Sequence, residues 1–266
     1  MKYMTPSILN FAQSLLDSEA HFMTLRDFET ARNDSGVPVL VRRTRFVESC
    51  IRRGSQVYIV SCPIAPDAMT GIRRIAVWTR YRISPYIIPF RILDDEMSFL
   101  NIRNEICSCD ILLQPVPEGR SLADCMREDI RPGLLRQKFR NMQADLAENL
   151  FSHNDIRPDN IVFLKHYMPR LIRHYGCLYP GVTERDTRAF ERLEALVDSY
   201  EAHRQAVRLG EITPEQLIEE AGFRRPPVGG LDYASICERF FKVKKRKYTK
   251  RKNTADEAPA GEQMEQ

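Results

Sequence analysis

The sequence predicts an α+β chain with its strands in the first half and its helices in the second. Two observations carry this. Residues 37–64 hold two β-branched runs, VPVLVRRTRF and QVYIVSCPI, separated by Arg53-Gly54-Ser55. From Pro132 onward, Leu135, Phe139, Met142, Leu146 and Leu150 recur at three- and four-residue intervals, which puts them on one helical face.

The elements follow in order. Thr5-Pro6 is expected to start a helix, with Thr as cap and Pro at the first helical position, and Ile8, Phe11, Leu15 and Leu16 continue it. This N-terminal helix takes residues 1–19. After the strands of 37–64, Ile72–Ile83 suits a short helix ended by Ser84-Pro85. YIIPFRIL and the stretch leading into CDILLQPV read as two further strands. Ser121 is the expected cap of a helix beginning SLADCMRE, and Pro132-Gly133 opens the amphipathic helix. Short strands are expected at Ile161–Phe163 and Arg170–Ile172, with a turn at Met168-Pro169. Residues 183–222 read as helical, broken near Gly210 and restarted at Thr213-Pro214. Phe223–Gly230 reads as a loop and Tyr233–Phe241 as a last short helix.

Composition narrows the function classes. No stretch approaches the ~20 apolar residues of a membrane span, and MKYMTPSILNF has neither the apolar run nor the small-residue cleavage site of a signal peptide. A cytoplasmic location is expected. Seven scattered cysteines, with Cys107 and Cys109 as a lone C-x-C, read as buried reduced thiols. Charge is uneven: KVKKRKYTKRK at 242–252 holds eight basic residues and no acid, whereas 253–266 holds four acids and no base. The tail 242–266 reads as a basic, then acidic, disordered segment. Its basic part is a candidate contact for an anionic partner, nucleic acid or membrane surface, although Tyr248 is thin support for base stacking.

The segment His153-Asn154-Asp155-Ile156-Arg157-Pro158-Asp159-Asn160 resembles the protein-kinase catalytic loop, H-R-D-L-x-x-x-N. It follows the amphipathic helix and precedes the apolar run Ile161–Leu164. Upstream, ILLQPVPEGRSLADCM is similar to the strand, hinge and helix that hold adenine in kinases. TLRDFETARNDSGVPV, RRTRFVESCIRRGSQVYIVSC and PRLIRHYGCLYPG look like further stretches of bacterial serine/threonine kinase-like proteins. The resemblance implies a two-lobed fold, with a small β-rich N-lobe at 20–117 and a shortened helical C-lobe at 118–241, truncated or diverged after 181.

By the same resemblance Asp155 takes the catalytic-base position, Asn160 the metal-side position and His153 the loop-bracing position, while Arg157 stands where many kinases carry Lys. His153 is therefore expected to be buried and Asp155 to face open space. The cofactor-binding positions would be Ser61, Gln114, Val116, Arg173 and His174. Here the chain departs from the pattern. Ser61 replaces the phosphate-pairing lysine, and residues 3–137 contain no lysine at all. Arg52, Arg53, Arg73 and Arg74 are the nearby substitutes, and none is geometrically equivalent to lysine. Arg42–Phe46 has no glycine to let backbone approach phosphates. No Glu lies between Arg73 and Ser84 to complete the usual Lys–Glu pair. Arg173 or His174 fills the metal-binding Asp slot, and neither offers magnesium a hard oxygen.

These losses imply a pseudokinase acting as a binding or regulatory module for a protein partner, with ATP bound weakly and without magnesium, or not at all. No metal ligand is assigned. Two alternatives stand beside it. One is a divergent kinase using Asp155, Asn160 and relocated arginines with Mg and ATP; the other is an anionic-surface binder working through 242–252.

Overall fold

Ser7, not Thr5, caps the first helix. Its hydroxyl accepts from Asn10 N while the Asn10 side chain accepts from Ser7 N, a reciprocal box that Thr5-Pro6 does not make. In the computed structural model, which describes residues 2–81, 84–223 and 231–241, the expected N-terminal helix is two helices, α1 (Ile8–Leu16) and α2 (Ser18–His21). Asp17 lies between them, ending one and capping the other. Phe11 and Leu15 are buried, whereas Ile8 and Leu16 are exposed. A two-residue strand, β1 (Lys2–Tyr3), precedes them.

The chain is α+β, with one mostly antiparallel sheet and a set of helices. The other sheet strands are β2 (Glu29–Thr30), β3 (Val41–Arg43), β4 (Phe46–Arg53), β5 (Gln56–Pro63), β6 (Arg91–Leu100) and β7 (Ile106–Val116). They lie in the order β1-β7-β5-β4-β2, with β3 on β4 and β6 on β7; only β1 pairs in parallel. The break read at Arg53-Gly54-Ser55 is the β4–β5 turn. At the β3–β4 turn, Thr44 adopts a φ of 49°, a glycine-like conformation in a segment without glycine.

Both faces of the central strands are covered, so they read as continuous apolar runs rather than alternating ones. Val47, Ile51, Val60, Cys62 and Cys109 pack with Phe11, Leu15 and Phe22 on one face. Cys50, Val57, Ile59 and Val116 pack with Val162 and Ile172 on the other. The sequence placed a strand at YIIPFRIL, but β6 starts only at Arg91. Tyr86–Ile88 turns instead to a later strand, β9 (Pro169–Leu171): Leu171 N donates to Tyr86 O at 2.7 Å and Ile88 N to Leu171 O at 3.1 Å.

The helices are α3 (Ile72–Tyr81), α4 (Leu122–Arg127), α5 (Pro132–Glu148), α6 (Glu184–Leu209), α7 (Pro214–Glu220) and α8 (Tyr233–Ile236), the last continued helically to Phe241. Ser121 caps α4 and Thr213 caps α7, each through a capping box. Leu135, Phe139, Met142 and Leu146 are the buried face of α5. Leu150 is not part of it: the helix ends at Glu148, and Leu150 is exposed with φ 52°. Strands β8 (Ile161–Phe163) and β9 (Pro169–Leu171) form a separate hairpin.

One apolar cluster joins the sheet to the helices. Phe46, Ile75, Trp78, Phe90 and Leu112 belong to it together with Leu135, Phe139, Phe163, Leu196 and Leu217. Trp78 stacks on Phe151, with centroids 4.2 Å apart and planes 11° from parallel. All seven cysteines are free thiols, and only Cys177 is not fully buried. No helix among the described residues is long and apolar enough to cross a membrane. The tail 242–266, the loop 224–230 and the end of the helix expected at Ile72–Ile83 lie outside the described residues.

Candidate functional site

The loop 153–160 is held by backbone bonds from two directions. Ser152 and Leu178 exchange backbone hydrogen bonds at 3.0 and 2.8 Å. The carboxylate of Asp186, in the first turn of α6, accepts from His153 N at 2.6 Å and Asn154 N at 2.7 Å. Burial raises the Asp186 carboxyl, and those two N–H donors partly offset it. A carboxylate in the first turn of a helix also faces the favourable end of the helix dipole. His153 is fully buried, and its Nε2 donates to Ile172 O at 3.0 Å. Burial pushes its imidazole down to about 4, so the ring is neutral.

Asn154, standing where the resembled motif has Arg, has a φ of 60°, which Asn tolerates far better than most residues. Its amide donates to Gly176 O at 2.9 Å, and its carbonyl accepts from the Thr183 hydroxyl at 2.6 Å. Asn160 is fully buried, and its amide donates to both the backbone carbonyl and the carboxylate of Asp155 at 2.8 Å. Arg157 Nε lies 3.4 Å from the same carboxylate. Asp159 is half-buried, and burial raises its carboxyl.

Asp155 keeps about a third of its side chain exposed and lines an open cavity of about 560 Å³. Arg157, Arg185, Arg188 and Arg192 line the same cavity. With Glu184 as the other acidic residue in its wall, the cavity carries net positive charge.

The second group of residues lies deeper. Arg173 is fully buried, and its Nε reaches both oxygens of Glu48 on β4 at 3.0 and 3.1 Å. Its other nitrogens donate to the carbonyls of Asp159 and Leu231 and to Asn160 Oδ1. Burial alone would raise the Glu48 carboxyl. Arg173, Arg43 and the Tyr175 hydroxyl outweigh it and hold the group below the usual carboxylate range. The charge of Arg173 is thus neutralised internally, by a Glu on a strand rather than on α3. Tyr175 OH donates to Glu48 at 2.8 Å and lies 2.6 Å from Ser61 Oγ. Ser61 sits directly across the ladder from Glu48.

Gln114 accepts from Arg173 N at 2.7 Å and donates to Ile88 O at 2.9 Å, which occupies both ends of its amide. His174 is buried with Nε2 on Ile88 O at 2.7 Å, and burial pushes its imidazole down to about 3. Ser61, Gln114 and His174 surround a space of about 10 Å³ with Phe90, Leu112 and Tyr175. That is about the room of one water molecule. Val116 does not reach it and is fully buried in the apolar core. The four arginines named as lysine substitutes are engaged elsewhere. Arg52 pairs with Glu29, Arg53 bonds Thr24 O, Arg73 pairs with Asp94 and Asp110, and Arg74 lies over Tyr179.

Sequence reasoning missed Glu48, Asp186 and Tyr175. Glu48 had a signal, since an acid inside the apolar run FVESCI is seldom buried without a cationic partner. Asp186 is one of several acids at the start of a long helix, and nothing local distinguishes it. No family model matches the chain, and no curated protein matches it either.

Proposed function

We propose that the protein is a kinase-fold pseudokinase, a binding or regulatory module without metal-dependent phosphotransfer. One observation carries the reading: three of the five residues assigned to nucleotide by resemblance, Ser61, Gln114 and His174, line a space of only about 10 Å³, and Arg173, a fourth, is held in a buried pair with Glu48. Ligand pockets run to hundreds of cubic ångströms. Opening this one would mean breaking buried hydrogen bonds that Gln114, His174 and Tyr175 make in its wall, and each buried polar group left unpaired costs about 1–3 kcal/mol. The order of elements supports the fold reading, with a sheet at 29–116, α5, the loop 153–160 and the β8–β9 hairpin following in the expected succession.

The test is thermal unfolding with ATP, with and without magnesium. Neither should shift the midpoint, because a ligand that does not bind the native state cannot stabilise it. A magnesium-dependent rise at millimolar ATP would overturn the reading.

The alternative of a divergent phosphotransferase has one observation in its favour. Asp155 lines the open 560 Å³ cavity beside four arginines, so an anionic substrate could meet the carboxylate from that side. It predicts phosphate transfer to a peptide or to the chain itself that disappears in Asp155→Asn, a change that keeps shape and removes the proton acceptor. On the pseudokinase reading no transfer above background is seen in either protein.

A further inference from the structure

His153, His174 and Cys177 form a cluster that the reading above does not use. One nitrogen of each ring and the Cys177 Sγ all lie within 4.8 Å of one another. The two rings meet edge to face, with centroids 5.3 Å apart.

The tautomers follow from the hydrogen bonds. Each Nε2 faces a backbone carbonyl, of Ile172 for His153 and of Ile88 for His174. A carbonyl only accepts, so each Nε2 carries the proton and each Nδ1 presents a lone pair. Both Nδ1 atoms are buried with no hydrogen-bond partner among the described residues. A buried polar atom left unpaired costs about 1–3 kcal/mol. An Nε2–H donated to a backbone carbonyl is also the arrangement that orients metal-ligating imidazoles and raises their basicity.

Cys177 supplies the third atom. Its thiol makes only a long contact, 3.7 Å, to His153 O. The carboxylates of Asp186 and Asp155 act on it electrostatically. Those same carboxylates are a negative field that favours a bound cation, and a coordinating thiol gives up its proton to the metal's charge.

We propose that His153, His174 and Cys177 bind one divalent transition-metal ion, zinc in the first instance, through the two Nδ1 atoms and the Cys177 sulfur. Two imidazoles and a thiolate suit zinc and exclude magnesium, which takes oxygen ligands. Three protein ligands leave the fourth tetrahedral position open. Zinc bonds of about 2.0–2.3 Å require the three atoms, which lie within 4.8 Å of one another, to draw together, with both rings as well as Cys177 adjusting. On binding, the Cys177 proton goes to solvent. The ion would tie the loop at 153 to the segment that follows β9. This inference does not depend on the pseudokinase reading.

The experiment uses the full chain stripped with a chelator, titrated with cobalt by absorbance and with zinc by calorimetry. The expected result is one ion per chain and a thiolate-to-cobalt charge-transfer band. Cys177→Ser, which exchanges a single atom, should fold, yet lose the band and bind zinc at least tenfold more weakly. X-ray absorption on the zinc-loaded chain should show two imidazole nitrogens and one sulfur. No band in the unmodified chain, a band undiminished in Cys177→Ser, or a shell with two or more sulfurs would overturn the proposal. The two histidines are not suited to a first test because their burial couples any substitution to folding.

Discussion

Glu48 and Arg173 show how two buried charges come to depend on each other. Both are fully buried, and each relies on the other to offset the loss of water. Glu48→Gln should destabilise the fold by about 3–5 kcal/mol at neutral pH, because Arg173 stays charged and loses its partner. The pH dependence has a definite sign. The folded Glu48 carboxyl lies below its ordinary value, so its contribution is complete above the unfolded carboxyl's range, about 4.3. It is lost as the pH falls through the depressed folded value. Urea unfolding between pH 7 and pH 3 should therefore show an acid limb that is shallower in Glu48→Gln than in the unmodified protein. Parallel limbs would mean that the pair contributes nothing specific.

Among the elements, the tightest junction is where β8 meets the segment after β7. Arg120 and Phe163 exchange backbone hydrogen bonds at 2.8 Å in both directions. Gly119 lies so close that a Cβ placed on it would be 2.6 Å from Phe163 O, a backbone atom that cannot swing aside. Gly119→Ala should cost about 1–3 kcal/mol, as overpacking does, and should loosen the hairpin that carries Asn160 into Ile161. Gly133, near the start of α5, has nothing within 4 Å of such a Cβ. Gly133→Ala should be neutral or stabilising by up to ~1 kcal/mol through helix propensity. Thermal unfolding of the two variants separates a glycine needed for approach from one that is not. Equal effects would remove the packing argument for Glu118-Gly119-Arg120-Ser121-Leu122.

For the whole molecule, the shared cluster predicts cooperativity. Trp78 sits on α3, yet it stacks on Phe151 at the far end of α5, and the same cluster reaches Leu196 and Leu217. Sheet and helices have no separate cores on this side, so they should unfold together. Trp78 fluorescence and far-ultraviolet circular dichroism should give one midpoint in urea. Two separated transitions would show that the halves are independently stable despite the shared core.

The amino-acid sequence by itself determined what depends on neighbours along the chain. The α+β division, the α4 and α7 caps at Ser121 and Thr213, the β4–β5 turn and the buried face of α5 were legible because period, capping and turn chemistry are local. So was the absence of lysine from 3–137, whereas the burial of His153 was implied only by the resemblance of its loop to a kinase motif. Where local signals competed, they misled: Thr5-Pro6 lost the helix start to the Ser7–Asn10 box, and Tyr86–Ile88 left the sheet for β9. Only the tertiary structure decided the site. Glu48 and Arg173 are 125 residues apart, Asp186 reaches back to the loop at 153, and two imidazoles from different segments meet Cys177. Such partners are chosen by the need to satisfy buried charges and polar atoms at a distance. That need exists only once the chain has closed around them.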